Sequence, residues 1–320
     1  MDYNIKLKEL IKEARPNLRE SSIKTYISNL TKLAREVGIK SINNLIFLQH
    51  GQNVMRAISK KKPSTQKTYL ATIIVILKAI KGTKKNLIDF YTEHMNKLAE
   101  EHNKKIQSQE KSETQNENWI ELPILQKELK RQGKEITRMR LWTKEKLTPK
   151  EFDQIQKYVA GFLYIGDDEN PPMRGDFHDM KIICNKGYSK LDEKELKKNY
   201  VVKVNARKKF FSLGDYKTSG KYGLKKIDIG KDLNNVLNKW FKIVDEYGYI
   251  LVNNRKQPMT ANGLSKFMNR VFENTGKKIG INMLRHIYIT HKFPPQLKEK
   301  QETASKMGHS INEQQLYSKK

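Results

Sequence analysis

Three things are scarce in this chain: acidic side chains, cysteine and long apolar runs. Sixty-three lysines and arginines face 35 aspartates and glutamates over 320 residues, for a formal charge of +28. Any one basic run is ordinarily a solvated face. A total this large is different, because the field repels itself unless a polyanion neutralises it. Nucleic acid is the expected partner. A membrane surface is not expected, since no basic amphipathic helix with a bulky apolar face stands out. The single cysteine, Cys184, excludes a disulfide within the chain and any cysteine-based metal cluster. Its apolar setting, Met180-Lys181-Ile182-Ile183-Cys184, reads as core. No apolar run approaches membrane-spanning length and the first residues hold no apolar leader, so a soluble intracellular protein is expected.

What is present begins with helical periodicity. Ser21-Ser22 read as the cap of a helix with apolar residues at Ile23, Tyr26, Ile27, Leu30 and Leu33, stopped by Gly38. Pro63-Ser64 open a second, with Tyr69, Leu70, Ile73, Ile74 and Leu77, stopped by Gly82. Both starts share one pattern, Ser21-x-x-Lys24-Thr25-Tyr26 and Ser64-x-x-Lys67-Thr68-Tyr69. It places a lysine and a threonine in each first turn, where phosphate could be met. Residues 1–100 are therefore read as a helical domain. Its candidate DNA contacts are Lys24, Lys67 and the basic loop Lys60, Lys61 and Lys62. Residues 101–146 read as a polar linker, glutamine-rich to Asn118, with a charged helix from Pro123 to about Met139.

The second domain, 147–320, opens with the capping box Thr148-Pro149-Lys150-Glu151. Strands are expected at Tyr200–Val204, Lys209–Leu213 and Leu224–Ile229. A turn with two glycines, Asp215–Gly223, lies between the last two. Helices follow over Leu233–Val244 and, capped by Thr260, over Leu264–Val271. The chain is thus expected to be mainly α with a small antiparallel β-sheet. The last forty residues carry Arg285 in Asn282-Met283-Leu284-Arg285-His286, His309 in Met307-Gly308-His309-Ser310, and Tyr317. Arginine matches two phosphate oxygens with a planar fork of donors. Histidine moves protons near neutral pH. Tyrosine serves as a covalent nucleophile when cations stabilise its phenolate. That combination points to chemistry on a phosphodiester.

The order of these parts resembles the catalytic domain of tyrosine recombinases, the phage-type integrases that break and rejoin DNA. The short strand, Pro258-Met259-Thr260, the helix, Leu284-Arg285-His286-Ile287-Tyr288 and Met307-Gly308-His309-Ser310 follow the family's sequence of motifs. Tyr317 falls eight residues after His309, within the family's usual spacing. The resemblance implies a helical core-binding domain followed by an α+β catalytic domain. It implies that Arg174 and Arg285 clamp the nonbridging oxygens of the scissile phosphate, and that Tyr317 attacks phosphorus to give a 3′-phosphotyrosine. Lys217, with Lys221 as the alternative, would protonate the departing 5′ oxygen, and His309 would bond the phosphate. No cofactor is implied. The implied partners are double-stranded DNA and further copies of the chain, as a homotetramer on paired sites. The implied setting is a virus or mobile element, with action in the host cytoplasm or nucleus. Two positions depart from the family pattern. Asn282 stands where a histidine usually precedes the second arginine by three. Phe177 stands where an acid usually follows the first, with Asp176 and Asp179 beside it. His286, just after the second arginine, reads as structural. Two other readings remain open at this level. One is a type IB topoisomerase or telomere resolvase using the same chemistry. The other is a DNA-binding relative that has lost it.

Overall fold

The computed structural model describes residues 3–40, 44–293 and 306–307. The chain divides into two compact units, Met1–Glu110 and Lys111–Lys320. The fold is mainly helical with a small four-stranded sheet.

Unit one consists of helices α1 (Tyr3–Ala14), α2 (Glu20–Glu36), α3 (Gly51–Ser59), α4 (Pro63–Ala79) and α5 (Lys85–Gln107). α4 is the central element. Besides the expected stripe it buries Thr72, Val75 and Ile76, so its walls are apolar nearly all round. The other helices pack on it through Ile11, Leu30, Val54, Ile58 and Tyr91. The Tyr91 hydroxyl donates to the Leu48 carbonyl at 2.7 Å, which satisfies the polar tip of a buried ring.

The start of α2 differs from the expectation, while α4 opens at Pro63 as expected. α2 begins at Glu20 behind Arg19, and no side chain caps it. Lys62 precedes α4, with Pro63 in its first turn. The shared serine–threonine pattern has another use. Thr25 donates to the Ser21 carbonyl at 2.8 Å and Thr68 to the Ser64 carbonyl at 3.0 Å, one turn back in each helix. Gly38 and Gly82 end their helices with φ of +88° and +82°, as their positions suggest.

The polar stretch read as a linker is more ordered than its composition suggests. α5 runs on to Gln107, and α6 (Glu113–Asn118) is a short helix with a Ser112–Gln115 capping box. The expected charged helix forms as α7 (Leu122–Arg138). It contributes Leu125, Leu129 and Ile136 to the core of unit two.

Unit two is built on α8 (Pro149–Ile165), which packs against α7, α11 (Lys231–Val244), α12 (Ala261–Val271) and α13 (Ile281–Lys292). Its capping box is present as expected. The Thr148 hydroxyl accepts from the Glu151 N–H at 3.3 Å, and the Glu151 carboxylate accepts from the Thr148 N–H at 2.8 Å. Gln156 is buried in the middle of α8. Its amide accepts from the Val252 N–H and donates to the Val252 carbonyl, so an extended apolar segment is bound to a helix as a strand would bind it. Trp240 closes the same region, donating to the Ile250 carbonyl at 2.8 Å.

The sheet comprises β1 (Lys181–Cys184), β2 (Asn199–Lys203), β3 (Lys209–Leu213) and β4 (Lys225–Asp228), in that order across the sheet. It is mixed rather than antiparallel, because β1 runs parallel to β2. A one-turn helix α9 (Asn185–Tyr188) and the loop after it carry the chain back between them. Alternation sends Val201 and Phe211 into the main core. Tyr200, Val202 and Phe210 pack on the other face around Tyr188. Cys184 is exposed, not core. It ends β1 and accepts from the Gly187 N–H as the cap of α9, a polar use that its apolar neighbours in sequence do not reveal. The β3–β4 connection holds one turn of helix, α10 (Ser219–Tyr222), before Gly223 at φ +65°.

Lys209, at the head of β3, is 2% exposed. Its ammonium donates to the Asn234 and Asn238 amide oxygens at 2.8 and 2.6 Å. Burial, with nearby Lys203, lowers its proton affinity.

Candidate functional site

The candidate site assembles around the end of α8. The helix breaks at Gly166 into an acid-rich turn that performs structural work. Asp167 is buried and accepts from the Glu169 and Leu233 N–H groups, the latter in the first turn of α11. Asn170 accepts from the Gly230 N–H and donates to the Asp228 carbonyl, which fixes the β4–α11 junction. Tyr288 of α13 donates to the Asp168 carbonyl at 3.3 Å. One turn thereby holds the helix that bears Arg285 and the segment that leads to Arg174.

Arg174 lies in the irregular stretch between that turn and β1, with its side chain exposed. Its backbone is fixed by Tyr164, whose hydroxyl donates to the Arg174 carbonyl at 2.9 Å. Tyr164 is the last aromatic residue of α8 and is fully buried. Burial raises its phenol's proton affinity, nearby Asp176 raises it further, and the guanidinium of Arg285 opposes both. Arg285 is half-buried on α13, one residue past the buried Leu284. Tyr164 thus bonds the backbone of the Arg174 segment and lies within electrostatic reach of Arg285, more than a hundred positions later in sequence.

Phe177, three residues after Arg174, is a core residue. It is 1% exposed, with its ring edge-on to Tyr164 and Phe211, both at 5.3 Å. A carboxylate there would be buried without a partner. Asp176, one residue earlier, brings a carboxyl beside Arg174 instead. Burial raises its proton affinity most, Arg174 and His178 lower it, and Asp215 raises it.

Lys217 is exposed in the β3–β4 connection. Two bonds shape that loop: the Tyr216 hydroxyl donates to the Gly223 carbonyl at 2.9 Å, and the Ser219 N–H to the Tyr216 carbonyl at 3.0 Å. Asn199 ties the loop to the Arg174 segment, donating to the Asp215 carbonyl at 2.8 Å and the Asp176 carbonyl at 3.2 Å. Lys221 is exposed on α10, with its ammonium 5.2 Å from the Tyr222 ring centroid.

Asn282 is exposed in the first turn of α13, three residues before Arg285 and so on a neighbouring part of the helix surface. His286 and His291 are also exposed, so His286 is not a core residue of this helix. His309 and Tyr317 lie outside the described residues. Among the described residues, no group of three or more histidine, cysteine or acidic side chains is gathered as metal ligands would be, and no helix is long and apolar enough to cross a membrane.

The candidate DNA contacts of unit one are surface residues. Lys24, Lys60 and Lys62 are exposed, and Lys67 is half-buried. Lys61 is engaged within the unit, bonded to Glu36 at 2.7 Å with its ammonium 5.1 Å from the Tyr69 ring centroid.

Tyr164 and Asn199 are the members of this arrangement that the sequence does not announce. The one signal for Asn199 is an amide directly before the apolar run Tyr200-Val201-Val202. Comparison of the chain with family models, characterised proteins and solved structures returns no match, so the residues and their geometry carry the functional reading.

Proposed function

We propose that this protein is a site-specific DNA recombinase or integrase that cleaves and rejoins DNA through a 3′-phosphotyrosine intermediate. One observation carries the reading: buried Tyr164 bonds the Arg174 backbone within electrostatic reach of Arg285, while Asn199 joins the Arg174 segment to the loop of Lys217. The charge of +28 supports a polyanionic substrate.

In this reading two guanidinium groups hold the nonbridging oxygens of one phosphate. They are worth most as the pentacoordinate transition state gathers charge. The Tyr317 phenol gives up its proton to solvent as its oxygen attacks phosphorus, and the bond to the 5′ oxygen breaks. Lys217 delivers a proton to that leaving oxygen, and His309 bonds the phosphate. The phosphotyrosine ester conserves the energy of the broken linkage, so a 5′-hydroxyl of the recombining strand can reverse the step. Assembly as a homotetramer on paired duplex sites, with the helical unit acting as a core-binding domain, belongs to the same proposal.

Asn282 favours a second reading, a DNA-binding relative without catalysis, because an amide cannot accept a proton from the nucleophile. A nicked suicide duplex, which traps the covalent complex by letting the cleaved end diffuse away, separates the two. The recombinase reading expects a protein–DNA adduct that Tyr317→Phe abolishes while DNA affinity persists. No adduct from the wild type, at undiminished DNA affinity, establishes the binding protein instead. Exchange of strands between two sites, rather than relaxation of a lone supercoiled circle, separates recombinase from topoisomerase.

A further inference from the structure

Asn199 occupies an unusual place. It is 3% exposed, at the head of β2, and its backbone pairs with Leu213 across the ladder. Its side chain bonds neither strand as such. The amide oxygen accepts from the Gly214 N–H at 3.1 Å and the Asp215 N–H at 3.0 Å. The amide nitrogen donates to the Asp215 carbonyl at 2.8 Å and the Asp176 carbonyl at 3.2 Å. Both lone pairs and both protons are used, the full capacity of an asparagine.

All four partners are backbone groups of irregular segments. Asp215 is two residues before Lys217, and Asp176 is two residues after Arg174. The approach depends on Gly214, where a Cβ would lie 2.0 Å from the Leu196 carbonyl oxygen. Only glycine lets the chain leave β3 at this angle and set its next peptide against Asn199. The Arg174 segment is held from two sides, by Tyr164 at the residue 174 carbonyl and by Asn199 at the residue 176 carbonyl.

We propose that Asn199 is a positioning residue that fixes the loop of Lys217 against the Arg174 segment and so sets the leaving-group acid relative to the phosphate clamp. The assignment rests on the recombinase reading above. Asn199 meets no DNA and moves no proton. Its amide joins the two loops directly, and a proton donor misplaced by an ångström loses much of its effect.

The test is single-turnover cleavage by the full-length Asn199→Asp variant, which puts an acceptor where the amide donates to two carbonyls. Two suicide duplexes are compared, one with the natural 5′ oxygen at the scissile position and one with a bridging 5′ sulfur. A thiolate leaves without being protonated, so the sulfur substrate bypasses the leaving-group acid. The expected result is a loss of about tenfold or more on the oxygen substrate, at least threefold smaller on sulfur, with duplex affinity within about threefold of wild type. Lys217→Ala should show the same oxygen–sulfur difference. An undiminished rate on oxygen, or an equal loss on both substrates, overturns the assignment, because a merely structural residue would not distinguish the leaving atoms. Where Asn199→Asp does not fold, Asn199→Ser, which keeps a small polar group, is read against the same two outcomes. A wild-type protein that forms no adduct with either duplex overturns the recombinase reading itself, and this assignment with it. An active wild type with an indifferent Asn199 variant overturns the assignment alone.

Discussion

Arg174 and Arg285 are held by different means, and their substitutions should behave alike only in the chemistry. Replacing either by alanine should lower single-turnover cleavage on the order of 100-fold, the usual loss when one donor to a developing charge is removed. Duplex affinity should fall far less, and gel-shift titration beside suicide cleavage would show any equal loss of both. Asn282 is exposed one helical turn before Arg285. Asn282→His introduces a proton acceptor and, on the recombinase proposal, should raise the cleavage rate by up to about 100-fold, within the range of general base catalysis. An unchanged rate would mean that another group takes the proton. Asp176 gives a prediction with a defined sign. Its folded proton affinity is raised, so ionisation costs stability as pH rises through the folded value, and that cost is absent below the unfolded value of 3.8. Asp176→Asn keeps the backbone carbonyl that Asn199 bonds. It should raise the melting midpoint at pH 7, and the gain should shrink toward zero as the pH falls below the ordinary aspartate range. A gain independent of pH would refute the carboxyl's part in it.

Elements capped by their own neighbours were legible and those completed from afar were not. The Thr148–Glu151 box and the Thr260 cap involve residues three apart, so sequence carries their whole geometry. Thr148→Ala should cost about 1 kcal/mol in denaturant unfolding at neutral pH. Glu151 has its proton affinity lowered to about 2 by Lys144 first and by Thr148 next. A depressed carboxyl contributes stability above its unfolded value and loses it as the pH falls through the folded one. The Glu151 half of the box should therefore fade between pH 4.5 and about 2, visible as a shrinking difference between Glu151→Ala and wild type. β1 was missed because four residues of mixed character gain their identity only by lying beside β2. Cys184 was misassigned for a related reason: an apolar run ending at an exposed strand terminus looks like core until the next helix is seen to use its sulfur.

Across the whole chain the governing quantity is charge. Duplex binding should weaken steeply as salt rises, since each lysine or arginine on a phosphate releases a counterion. Fluorescence anisotropy across a salt series would show a near-flat slope if DNA were not the main partner. Triple replacement of Lys24, Lys60 and Lys62 by alanine should reduce that slope without altering the melting midpoint, because these side chains are exposed. The sequence by itself determined the helical character and the basic balance. Each of these follows from local periodicity, capping or a simple count. Only the tertiary structure decided that Tyr164 bonds the Arg174 segment within electrostatic reach of Arg285, that Asn199 couples the loops of Arg174 and Lys217, and that Lys209 is buried among amides. Those relations join separate elements of the chain, which meet only because α8, the sheet and α11 share one core, a property no short stretch of sequence contains.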